Sequence, residues 1–80
     1  MHEYKLVADA LKDVLKTAEE NNAKKVSAVR FKVGENCHVR LENIEFLFRQ
    51  AARGSIAENA KIEISLVQGE DLLLSSIQVD

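Results

Sequence analysis

Residues 26–33 read Val26-Ser27-Ala28-Val29-Arg30-Phe31-Lys32-Val33, and this stretch decides how the rest of the chain must be arranged. Val29, Phe31 and Val33 fall on one side of an extended backbone, and Ala28, Arg30 and Lys32 fall on the other. That is the period of a strand with one buried face. Gly34 closes the run. An apolar strand face needs a cover, and the preceding residues supply one. From Tyr4 to about Asn22, apolar residues recur at Leu6, Val7, Ala10, Leu11, Val14, Leu15 and Ala18, the spacing of a single helical stripe. Asp9, Lys12, Asp13, Lys16, Glu19 and Glu20 occupy the opposite, solvated side. Asn21 and Asn22 suit the helix end, because asparagine tolerates left-handed backbone.

On the other side of the strand, Glu35 to Arg40 has no clear period and reads as a loop carrying Asn36, Cys37 and His38. Leu41, Ile44, Leu47, Phe48 and Ala51 then repeat at helical spacing, which predicts a second helix over 41–53 with Gly54 at its C-terminal cap. Ile62, Ile64 and Leu66 alternate with Lys61, Glu63 and Ser65 as a second strand. Gln68-Gly69-Glu70-Asp71 reads as a turn and Leu72 to Val79 as a returning strand, so a C-terminal β-hairpin is expected. In strict alternation Leu72 and Leu74 point one way and Leu73, Ile77 and Val79 the other. Both faces of that strand are then expected to be covered, as by a second protomer.

The predicted fold is α+β: two helices packed on one face of a small mixed sheet of three to four strands, in a single domain over 1–80. A short strand at the extreme N-terminus would place His2 at a sheet edge.

Composition narrows the function. At 46% hydrophobic and 30% charged residues the chain has the makeup of a soluble globular domain. Eighty residues bury a modest core, so oligomers, a homodimer among them, enter consideration. No apolar run is long enough to span a bilayer, and the start shows no charged leader followed by a greasy segment, so a cytoplasmic protein is expected. A net charge of -2 with one Tyr and three Phe gives no basic, aromatic-studded surface for nucleic acid. There is no nucleophile elbow, phosphate-cradling glycine loop or HExxH motif, and we expect no enzyme. Cys37 is the only cysteine, which excludes an internal disulfide and a thiolate zinc cluster.

The chemistry concentrates at Met1, His2 and Glu3. The terminal amine, the His2 amide and the His2 imidazole can chelate one ion from a single short peptide, and the Glu3 amide can supply a fourth nitrogen. Nickel(II) and copper(II) favour such square-planar nitrogen sets. The bland alternative for His2 is an exposed terminal side chain. Glu3 has other uses as well: its carboxylate can orient the imidazole, or simply complement the positive end of a helix. Cys37 and His38 are adjacent on the loop and form a weaker candidate site, or else an ordinary loop thiol and surface histidine.

Several of these pieces stand together in a known order. Met1-His2-Glu3 before an amphipathic helix, Ala23-Lys24-Lys25-Val26, Val33-Gly34-Glu35, Glu45-Phe46, and the run Gly54-Ser55-Ile56-Ala57-Glu58-Asn59-Ala60-Lys61-Ile62-Glu63-Ile64 resemble the nickel metallochaperones of hydrogenase maturation, the HypA/HybF type. The resemblance runs over 1–64, and residues 70–80 are similar to the closing strand of that family. It implies that Met1, His2 and Glu3 hold exchangeable nickel(II), and that the partner is a maturation GTPase or the large subunit of a hydrogenase, or of a similar nickel enzyme. Family members carry an inserted zinc module with two CxxC pairs. Here a tight turn stands in its place, so no zinc is expected. The competing expectation is a metal-free interaction or dimerisation module that keeps the fold.

Overall fold

The computed structural model describes residues 2–37 and 39–80, with His2 described in its backbone alone. The elements follow in the order α1 (His2–Glu20), β1 (Val26–Gly34), α2 (Leu41–Ala51), β2 (Lys61–Val67) and β3 (Leu72–Val79). The α1 stripe is buried at Val7, Leu11, Val14 and Ala18. The helix ends at a left-handed Asn22, φ 54°, where the Ala23 amide reaches back to the Ala18 carbonyl at 2.9 Å. That bond satisfies a carbonyl the helix itself leaves open. On α2, Ile44 and Phe48 are buried, and Phe48 meets Phe31 of β1 edge to face with ring centroids 5.7 Å apart.

The two helices lie against the same sheet face, as expected, but the strand order corrects the predicted C-terminal hairpin. The sheet is ordered β2-β1-β3, with β1–β2 parallel and β1–β3 antiparallel. β2 and β3 are consecutive in the chain yet lie on opposite sides of β1. The unit β1-α2-β2 is therefore a crossover, and the chain then steps over the end of β1 to reach its far side. Among the described residues the sheet has three strands. The N-terminal strand is absent from it because α1 begins at His2.

The step over β1 is held by backbone alone. Amides of Gly34, Glu35 and Asn36 donate to the carbonyls of Asp71 (2.8 Å), Val67 (2.8 Å) and Gly69 (3.0 Å). The crossing is so close that a Cβ at position 34 would collide with the Gly69 carbonyl. Gly69 itself turns at φ 118°, a conformation that L side chains rarely adopt.

β3 corrects a second expectation. Its register against β1 shifts between Arg30↔Ser76 and Phe31↔Leu74, so Ser75 is an extra residue. One inserted residue reverses the alternation beyond it. Leu72, Leu74, Ile77 and Val79 consequently all pack against the core, and Leu73 is left outward, 53% exposed. A similar shift at Ser27 brings Val26, opposite Val79, into the core with Val29. No second protomer is needed to cover β3.

The reverse face of the sheet is polar. Arg30 spans it, with its Nε 3.1 Å from Glu63 Oε2 and its Nη2 donating to Gln78 Oε1 at 3.4 Å. Between α2 and β2, Ser55 folds the link by donating its hydroxyl to the Ala52 carbonyl at 2.7 Å and accepting from the Ala57 amide at 3.1 Å. Ala57 and Ala60 of the same link are buried.

Gly34→Ala is expected to lower stability by about 1–3 kcal/mol through overpacking at the crossing. In thermal denaturation that should read as a fall in midpoint of roughly 4–8 °C per kcal/mol. An unchanged midpoint would show that the crossing has room for a methyl group.

Candidate metal site

The rotation of α1 is set by its buried stripe, and this decides where Glu3 points. Glu3 lies one turn before Val7, so it sits on the same side of the helix. That side meets α2. Glu3 is half-buried, and its Oε2 accepts a hydrogen bond from Asn43 Nδ2 at 3.3 Å. Asn43 belongs to the first turn of α2, where its own amide donates to the Arg40 carbonyl at 3.0 Å. The openings of the two helices are thus tied side by side.

The backbone at this end has a property that the side chains do not reveal. Because α1 starts at His2, the amides of His2 and Glu3 lie in its first turn, where a helix offers no carbonyl acceptor. The same turn is the positive end of the helix dipole, which favours anionic groups. Deprotonated amides, the form in which peptide nitrogens bind metal, are such groups.

Of the residues singled out in the sequence, Met1, the His2 side chain and His38 lie outside the described residues. Glu3 is placed at the α1–α2 contact. Cys37 is half-buried, packs against the hydrophobic core and donates its amide to the Gly34 carbonyl at 2.9 Å. This placement suits a small apolar side chain filling space under a loop. Among the described residues no three His, Cys, Asp or Glu side chains converge as a metal cage would require, and no cavity is enclosed. None of the described helices is long and apolar enough to cross a membrane.

Asn43 is the residue that sequence reasoning missed. It falls beside the α2 stripe as an ordinary polar position, and only the packing of α1 on α2 brings it to Glu3. The contact predicts a measurable coupling. In a double-mutant cycle of Glu3→Gln and Asn43→Ala, chemical denaturation should give an interaction energy of about 0.5–1 kcal/mol, the low end for a partly exposed pair. Strict additivity would mean that the helix openings are held by apolar packing alone.

Comparison with known proteins supplies independent findings. Residues 1–78 match the family model described as "Hydrogenase/urease nickel incorporation, metallochaperone, hypA". The chain is 41% identical over 70 residues to the hydrogenase maturation factor HypA of Archaeoglobus fulgidus, which covers 88% of this chain and 64% of the relative. It is 44% identical over 64 residues to the factor of the same name from Francisella philomiragia, covering 80% and 56%. The chain therefore spans less than two thirds of the length of these relatives. Among solved structures, the solution structure of the Ni metallochaperone HypA from Helicobacter pylori is similar, with a TM-score of 0.78 over 96% of each chain. At 13% identity that likeness is one of fold.

Proposed function

The chain belongs to the HypA family of hydrogenase/urease nickel-incorporation metallochaperones, and from that premise we propose that it carries nickel(II) as cargo at its N-terminus. The observation that carries the proposal is that α1 begins at His2, leaving the amides of His2 and Glu3 without acceptors from the helix itself. With the Met1 amine and the His2 imidazole these complete a set of four nitrogens. Two deprotonated amides would cancel the charge of a divalent ion, so the loaded site adds no net charge at the positive end of α1. Glu3 is the residue that serves this site twice: its amide binds, and its carboxylate, tethered by Asn43, holds the opening of α1 against α2.

A site of this kind at a chain terminus suits delivery. The ion can be handed on without opening a buried cage, which four side chains around a closed centre would require. We assign the acceptor, by the family, to the nickel-enzyme maturation machinery: a maturation GTPase or the hydrogenase large subunit, in the cytoplasm. The reading contains no catalytic step. It also contains no zinc, because the turn at 68–71 stands between β2 and β3, where we place the family's zinc module, and the sequence holds a single cysteine. Cys37 and His38 have no assigned part in it.

Titration of untagged protein with nickel tests the proposal. Submicromolar binding is expected, and both His2→Ala and an N-terminal extension, which turns the amine into an amide, should weaken it by more than about tenfold, the loss that follows even when a supporting partner of a ligand is removed. Affinity should fall as pH is lowered, because protons compete for every donor. A Cys37→Ser, His38→Ala double variant should bind nickel normally. Equal affinity in wild-type, tagged and His2→Ala proteins would remove the site and favour a metal-free interaction module. Stoichiometric zinc held by thiolate would overturn the zinc-free part of the reading.

A further inference from the structure

The sheet ends differently at its two edges. α1 packs on the core face of β3, and along its edge the extra residue at Ser75 breaks the register. β2 is seven residues of unbroken register, Lys61 to Val67, with no proline or bulge to blunt it. Among the described residues, its outward amides and carbonyls have no backbone partner, and the bond from the Glu35 amide to the Val67 carbonyl continues the ladder on the β1 side. An open, regular edge of this kind is a template for another strand. The core side of the same strand is also incompletely covered: Ile62 and Ile64 are half-buried, and Leu66, paired with buried Val33, is 61% exposed.

The sequence of β2 is complementary to itself when run antiparallel. With Ile64 opposite its own copy, all seven residues pair. Ile62 then meets Leu66 on the core side, while Glu63 meets Ser65 and Lys61 meets Val67 on the reverse side. Shifting the register to set Glu63 opposite its own copy places like charges together, which destabilises a strand pair. Shifting it to bring Lys61 opposite Glu63 leaves Ile64 and Leu66 beyond the overlap. Only the register centred on Ile64 buries Leu66, pairs the whole strand and opposes no like charges.

We propose that β2 is the interface of a two-fold homodimer in which two copies join edge to edge, antiparallel about Ile64, into a continuous six-stranded sheet. The contact is isologous, so it closes at two copies and leaves β3 as the outer edge on both sides. It is small, and a weak dimer is the corresponding expectation.

Sedimentation equilibrium of the untagged protein tests this without any metal, so its failure leaves the nickel reading standing. A monomer–dimer equilibrium is expected between about 1 μM and 1 mM. Ser65 supplies the register test, because it faces Glu63 of the other copy across the interface but Lys32 within its own sheet. Ser65→Lys should tighten the dimer and Ser65→Glu weaken it, each by about three- to tenfold, although within the protomer Lys32 favours the opposite order. Leu66→Lys should weaken association by more than roughly tenfold, with circular dichroism confirming that the variant is folded. Protein that stays monomeric to about 1 mM leaves the edge to a strand of another protein, or to water, and overturns the proposal. So does a dimer that none of these substitutions alters, or one that Ser65→Glu strengthens.

Discussion

The approach of the 67–71 segment to the end of β1 is the constraint from which the sheet order follows. Three amides in a row, at Gly34, Glu35 and Asn36, turn outward from the end of the central strand and catch three carbonyls of the passing chain. The contact is backbone on backbone, and it exists because position 34 has no side chain. The alternative, a return along the free edge of β2, is the hairpin that the sequence suggests. With the backbone contact the chain is carried across to the far side of β1. β3 then closes the surface that α1 needs, so the packing of the first helix depends on a crossing made near the end of the chain.

Much of this was legible in the residues, and the exceptions have physical causes. The stripes of α1 and α2 and the alternation of Val29, Phe31 and Val33 are plain because each element buries one face, and burial writes its period into the sequence. β3 was harder. Its apolar residues occur at both parities, and the alternation resolves only when Ser75 is counted out. A serine gives no sign of whether it is a bulge or an exposed strand position. The hairpin failed for a different reason: a four-residue turn between two strands is compatible with pairing or with stepping over a third, and the residue whose missing side chain permits the step, Gly34, is far away in sequence.

The candidate metal site is legible to a different degree. His2 and Glu3 stand out mainly through the resemblance, since every chain start sets an amine beside its first amides and only the His2 imidazole is particular to this one. The start of α1 at His2 was not expected, and it changes what the backbone there can do, because first-turn amides are unclaimed by the helix. The Asn43 contact could not be foreseen at all. It joins residues forty apart through the packing of two helices, and neither residue is one of the apolar side chains whose period marks that packing in the sequence.

The joint between β2 and β3 has one more consequence. Val67 and Asp71 are each fastened to β1, so the folded sheet fixes both ends of the intervening residues, and of these Gly69 alone adds a further bond to the central strand. Closing a flexible excursion between two anchored points becomes harder only logarithmically with its length, by about 0.6 kcal/mol for each doubling. A whole module can therefore be grown at this joint or pruned from it while the sheet stays as it is. The architecture accordingly behaves as a socket, and gain or loss of what is plugged into it is a small step for the fold and a large one for its uses.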